Sequence, residues 1–174
     1  MVDVSPGVVL PRTRRGEAWV VGGLVTDGDG RLFVQRRSPN RRRFPGSWDL
    51  VGGHVDPGES LVDGLAREVR EETGWTLQRI LAAVATHTWW ADDGVQRYEI
   101  DLLVAVGGDL SGPQLETHKH TEGRWIGPDE LDLLGDPQAP DSLIRDVVAD
   151  GFAILSSAAT DAAMPRTRVR DPRR

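Results

Sequence analysis

The densest chemistry in the chain lies in "AREVREETGW", residues 66–75, where Glu68, Glu71 and Glu72 fall within five positions and Arg67 precedes them. On a helix at about 100° per residue, Glu71 and Glu72 straddle the axial line through Glu68. The three carboxylates are therefore expected to converge beside one apolar stripe. Like charges at this spacing weaken a helix by about 0.2–0.5 kcal/mol per pair. A divalent cation would reverse that repulsion, and an all-oxygen donor set suits Mg²⁺ or Mn²⁺. Taken alone, three glutamates on a helix more often mark a solvated face, with Arg67 and Glu71 pairing at i,i+4.

The elements that must position these groups are legible around them. "ESLVDGLAREVREETG" reads as a helix with Val62, Leu65, Ala66 and Val69 on its buried stripe, a capping start at Glu59-Ser60 and a stop at Gly74. Upstream, "AWVVGGLVTDGDGRLFVQRRS" reads as a hairpin around a DGDG turn. "PNRRRFPGSWD" reads as loop. Downstream, two long strands flank "ADDG", and alternation places Tyr98, Ile100, Leu102 and Val104 on one face and Glu99, Asp101 and Leu103 on the other. "TEGRWIG" is a short strand and "PDELDLL" a short helix started by Pro128. "PDSLIRDVVADGF" is an amphipathic helix with Leu143, Ile144, Val147 and Val148 inward and Gly151 as its expected stop. Interleaved strands and helices with a hairpin-connected central pair favour a mixed sheet covered on both sides.

Counted from Gly53, the spacing is G-x5-E-x7-R-E-U-x-E-E-x-G-U, ending at Trp75, with U a bulky apolar residue. This closely resembles the Nudix box, the signature of Nudix hydrolases. "TEGRWIGPDEL" and the flanking strands also look like that family, so the resemblance covers about residues 17–150. Trp75 occupies a slot usually held by an aliphatic residue, and Val51 stands where many members have proline.

The resemblance implies an α/β fold, a Nudix-type α/β/α sandwich with a mixed central sheet. It implies hydrolysis of a nucleoside diphosphate linked to another moiety, with Mg²⁺ or Mn²⁺ as cofactor. By similarity, Glu68 and Glu72 are the first metal ligands, and Glu71 is a further ligand or the water activator. Gly52 offers a backbone carbonyl to the metal, and Arg67 orients the glutamates. Glu59 is expected to anchor the loop before the helix. An additional acidic residue outside the box is expected, with Glu116 and Glu122 as candidates.

Arg36 and Arg37 end a strand just before the box and are candidates for phosphate, although alternation lets only one of them face the site. Trp48, Trp89 and Trp90 are candidates for stacking on a base, set against the ordinary role of tryptophan in cores. His118 and His120, two apart, would point the same way on a strand, but no third ligand at zinc spacing accompanies them.

The chain has 174 residues, 39% of them hydrophobic and 28% charged, enough for one soluble domain with a core. The expected division is a flexible leader over 1–15, the Nudix domain over 16–155 and an Arg-rich tail over 156–174. No signal-peptide pattern or membrane-length apolar run is visible, so a cytoplasmic protein without membrane contact is expected. A net charge of −6 argues against nucleic acid as a partner, despite five arginines in "MPRTRVRDPRR". A nucleotide-type small molecule is the expected partner. A homodimer is a further expectation by family habit.

The absence of cysteine removes thiolate chemistry. That counts against an isopentenyl-diphosphate-isomerase-like reading of "QRRSPNRRRFPGSWD", because those enzymes use a catalytic cysteine. A non-catalytic nucleotide-binding module would be marked by lost box glutamates, and none is lost. Sequence markers of ADP-ribose and dinucleoside-polyphosphate members are not matched. By elimination the substrate expected is a nucleoside triphosphate, normal or oxidised.

Overall fold

The computed structural model describes residues 1–135 and 143–163, without side chains for 159–163. Eight strands and two α-helices are present among these residues. In chain order they are β1 (Asp3–Val4), β2 (Ala18–Thr26), β3 (Leu32–Arg37), β4 (Trp48–Asp49), β5 (Val51–His54), α1 (Leu61–Thr73), β6 (Thr76–Trp90), β7 (Gln96–Gly107), β8 (His120–Ile126), a 3-10 helix (Pro128–Leu134) and α2 (Leu143–Ala163).

The strands form one mixed sheet, ordered β1-β6-β7-β2-β3-β4. The β6–β7 hairpin is antiparallel, and β7 lies parallel to β2 along all nine residues of β2. The expected β2–β3 hairpin keeps its turn but not its length, since the two strands pair only at Thr26 and Leu32. Beyond that point they part. The freed edge of β2, Val20 to Gly23, pairs with His54 to Val51 of β5, while β3 pairs with β8 and β4. The split opens the sheet beside the strand that leads into the box.

Helix α1 begins where Ser60 accepts a hydrogen bond from the Asp63 amide and ends at Gly74, whose φ of 74° is the left-handed stop expected there. It packs on one face of the sheet over Val21, Phe33, Val51, Ile100, Leu102 and Val104. Leu65 and Val69 are its buried centre; Val62 and Ala66 are only half-buried. Trp75 lies in this core, edge-on to Phe33 at 4.9 Å, with its indole N–H donated to the Asp109 carbonyl at 2.8 Å. A tryptophan in the aliphatic slot is thus absorbed by an aromatic cluster with Trp125.

Helix α2 covers the other face through Val147, Val148 and Phe152 against Leu24, Leu32, Val34 and Leu103. This gives the α/β/α sandwich. Both faces of β7 are consequently occupied, one by Ile100, Leu102 and Val104 and the other by Leu103 with the buried Asp101.

Several expectations are corrected. Gly151 does not end the second helix, which continues to Ala163. A Cβ at Gly151 would lie 2.5 Å from Leu24 Cδ2 and 3.2 Å from Leu32 Cδ1, so glycine is there to let the helix approach the sheet. Residues 140–142, its expected start, lie outside the described residues, as does 164–174, most of the expected tail. Residues 156–163 of that tail belong to α2. The segment expected to be a flexible leader is tied down, with Asp3 and Val4 paired to Arg79 and Ile80 and with Val2, Val8 and Leu10 packed on the core. "PDELDLL" is a short helix begun by Pro128 as expected, of the 3-10 type. Among the described residues no helix is long and apolar enough to cross a membrane.

Gly151→Val tests the close approach. Overpacking of this kind costs about 1–3 kcal/mol, so the urea midpoint should fall with the slope unchanged.

Candidate active site

The strand β5 and helix α1 place the box glutamates around Gly52 and Gly53. Glu72, on the helix face turned toward the sheet, is 2% exposed. Its Oε2 accepts hydrogen bonds from Gln35 Nε2 at 2.6 Å and from the Gly52 amide at 3.0 Å. Among the described residues no hydrogen bond reaches its Oε1, whose neighbour is His120 Nδ1 at 3.8 Å. That imidazole nitrogen is itself buried without a hydrogen-bond partner. Burial pushes the Glu72 carboxyl up to about 7, against the pull of the Gly52 and Gln35 donors. The nearby Glu68 adds to the rise and the positive charge of Lys119 opposes it.

Glu68, one turn earlier, is also buried. It lies so close beneath Gly53 that a Cβ there would sit 2.6 Å from its Oε1. Arg67 holds it from the side, Nη1 to Glu68 Oε1 at 2.6 Å. The same guanidinium donates to Glu59 through two nitrogens, at 3.0 and 3.2 Å, and to the His54 carbonyl at 2.9 Å. Glu59 in turn accepts the Asp56 amide at 3.1 Å. Arg67 thereby fastens the loop before the helix to the strand before the loop while fixing one carboxylate. These partners hold its own pKa well above the usual arginine value, Glu59 first.

Glu71 does not join the other two. Its side chain is about half exposed and meets Arg67 Nη1 at 3.5 Å, the i,i+4 pair of a solvated helix face. The 100° step that puts Glu68 and Glu72 over the sheet turns Glu71 toward solvent. Among the described residues no three His, Asp or Glu side chains already surround one point. The donor set nevertheless fits a hard cation: two buried carboxylates, one with a free oxygen, beside the backbone of Gly52, and a glycine at 53 that lets the Glu68 carboxylate lie against the strand.

These groups line one end of a cleft of about 1220 Å³. Arg37 lines it too, bound to Asp49 at 2.6 Å. Arg36, on the opposite face of β3, does not. It is exposed and donates to the Gly46 carbonyl, with Glu122 across the strand pair at 3.9 Å. Glu122 is exposed with it, so neither lies in the cleft. Trp48, Trp89 and Trp90 all line the cleft. Trp48 is half-buried against the α2-side core, Trp89 donates to Glu99 at 3.0 Å, and Trp90 is largely exposed. Glu116 is paired with Lys119 at 2.7 Å. His118 and His120 do not point the same way. His118 lies in the turn before β8, exposed, whereas His120 opens the strand and is buried, its pKa pushed down to about 4 by burial and by Arg37, Arg41 and Lys119.

Sequence reasoning missed Gln35, His120 and Lys119 as companions of the glutamates. A lone glutamine inside "LFVQRR" was the available signal for the first. The other two reach the site only because β8 pairs with β3.

A model of the NUDIX domain matches residues 16–147 of the chain. The chain belongs to the Nudix family. The nucleoside triphosphatase NudI of Salmonella agona (strain SL483) is 34% identical over 117 residues, covering 63% of this chain and 82% of that protein. Among solved structures, the MutT protein from Methanosarcina mazei Go1 is 27% identical, covers 85% of this chain and 99% of its own, and superposes with a TM-score of 0.59. A NUDIX hydrolase from Nitrosomonas europaea shares the fold with a TM-score of 0.62 at 20% identity, covering 79% and 89%. This Nudix hydrolase therefore carries its box intact on the loop, helix and loop around α1.

Two variants test the arrangement. Gly53→Ala should lower both the melting temperature and kcat, because the new Cβ would strike the buried Glu68 carboxylate that Arg67 clamps. In Glu72→Gln the charge that burial disfavours is gone. A carboxyl whose folded pKa exceeds its unfolded value penalises the fold above that unfolded value, fully so once pH passes the folded pKa. Metal-free Glu72→Gln should thus melt at or above wild type at pH 8 and lose the difference near pH 4. Calorimetric melting across that range, with and without Mn²⁺, reads both this and the expected loss of metal-induced stabilisation.

Proposed function

We propose that the protein is a pyrophosphohydrolase of nucleoside triphosphates, normal or oxidised, working with Mg²⁺ or Mn²⁺. The observation that carries this reading is the buried Glu72 carboxylate, held by two N–H donors on one oxygen and open on the other. Glu68, Glu72 and the Gly52 carbonyl are assigned to the cation. When bound, the ion supplies neutralisation of the phosphate charge and acidifies an attacking water. Gln35 and the Gly52 amide aim the Glu72 carboxylate. Arg67 holds Glu68 in place. Glu71, at the exposed rim, is assigned to accept the proton of the water or to complete the ligand set. Arg37 and Lys119, both on the cleft wall, are placed to meet phosphate oxygens. The likeness to a nucleoside triphosphatase over most of that relative's length supports the triphosphate reading. A domain able only to bind nucleotide would need no Arg67–Glu68 clasp beside a buried, half-satisfied carboxylate.

The test is a panel of nucleoside triphosphates, ADP-ribose, dinucleoside polyphosphates and sugar nucleotides, assayed with each ion. Triphosphates should turn over at least tenfold faster than the others, and Glu72→Gln should lower kcat by about a hundredfold or more. Faster release from ADP-ribose or sugar nucleotides would reassign the substrate. Wild-type rates in Glu72→Gln would remove its role.

A further inference from the structure

The loop between β3 and β4 reaches across the cleft to its far rim. At this end of the sheet His87, Glu99, Val20 and His54 stand in one row, from β6 through β7 and β2 to β5. β3 lies beyond that row, where it pairs with β4. Trp89 on β6 is therefore three strand spacings from β5, about 14 Å. Yet Arg43, in the loop that leaves β3, touches it. The Arg43 guanidinium lies 5.3 Å from the centre of the Trp89 ring, and its Nη2 meets Asp92 Oδ2 at 2.9 Å. Between Arg37, the end of β3, and Arg43 the chain reaches at most about 20 Å. The loop must run nearly straight over the gap, and Asn40 to Phe44 line the cleft that it spans.

The far rim is stiff. Ala91 and Val95 bond through the backbone at 3.1 Å, and Asp93 accepts the Val95 amide at 2.9 Å as well as the Arg97 guanidinium. The foot of the loop is fixed too, with the Arg37 amide on the Ser47 carbonyl and the Ser38 amide on the Lys119 carbonyl, both at 2.8 Å. The tip between them has local bonds, such as Arg37 Nε to the Arg43 carbonyl at 3.1 Å. Its hold on the far rim is the Arg43 side chain.

Phe44 opposes that hold. Its φ of 47° lies in the left-handed region, uncommon for a bulky side chain, and it precedes Pro45, a position normally extended. Its ring is exposed and gains no packing in return. A strained backbone next to a partly exposed ion pair makes a contact that opens easily.

We propose that residues 38–47 form a strap over the cleft, latched by Arg43 on Trp89 and Asp92 and set near balance by the strain at Phe44. Latched, the strap covers the floor where His87 lies. Released, it admits a ligand. The strap goes beyond the hydrolytic reading and does not require it.

The experiment uses the full chain without metal or nucleotide and reads two rates by mass spectrometry. One is tryptic cleavage after Arg41 or Arg42, which tracks the population of the released form. The other is carbethoxylation of His87 by diethyl pyrocarbonate, relative to the exposed His118 of the same molecule. Asp92→Asn and Arg43→Gln should each raise both rates about threefold or more, the scale of an exposed ion pair with a cation–π contact. The two variants change the local charge in opposite senses, so an effect of field alone would drive them apart. Phe44→Asn, whose new side chain enters the left-handed region readily, should lower both rates. Cleavage unchanged in Asp92→Asn and Arg43→Gln, or moved in opposite directions, overturns the latch. Faster cleavage with His87 reactivity unchanged overturns the cover. Faster cleavage in Phe44→Asn overturns the balance by strain. Because no substrate enters either measurement, loss of the triphosphatase reading would leave the strap standing.

Discussion

Glu72 is a carboxylate placed almost wholly out of water on a helix that must also pack a core. Taking an ionised group from water costs several kcal/mol even after the protein relaxes. Gln35 and the Gly52 amide offset part of that, both on a single oxygen. What they leave unsatisfied is what a divalent cation would satisfy. The geometry around this group follows from it: glycines at 52 and 53, since a side chain at either would strike Val21 or Glu68, and a glutamine in an otherwise apolar strand.

The early parting of β2 and β3 lets those partners meet. Had the hairpin stayed zipped, β5 could not occupy the edge of β2. Gly52 would then lie away from α1. The same parting carries Gln35 to β8 and sets His120 beside Glu72. The cleft is the gap this rearrangement leaves, with the box at one end and the β6–β7 strands at the other. Its two ends are electrically unlike. At the box, Arg67, Arg37 and Lys119 accompany the acids, whereas at Asp101 the neighbouring carboxylates add to one another.

Arg67 illustrates how one side chain serves fold and site together. Its guanidinium spans Glu59, Glu68 and the His54 carbonyl, so the entrance loop, the helix and the preceding strand share one clasp. Five fixed donors on a planar group make that possible, and lysine would not reproduce it.

The sequence by itself determined what depends on near neighbours. The α1 helix, its Ser60 cap and Gly74 stop, the period-two faces of β7 and the box spacing are local consequences of rotation per residue and of φ preferences, and each is present as read. It could also single out Glu68, Glu71, Glu72 and Arg67 as candidates, through the spacing they share with the Nudix box. Tertiary structure alone decided which glutamate faces inward with a partner, that Arg36 and Glu122 face away, and that Gly151 is a packing glycine rather than a stop. It alone set Gln35 against Glu72 and brought His120 and Asp101 to the wall of one cleft. Those outcomes turn on which strand edges pair and how closely a helix can approach a sheet, and such contacts between residues distant in the chain leave no periodic trace in the order of amino acids.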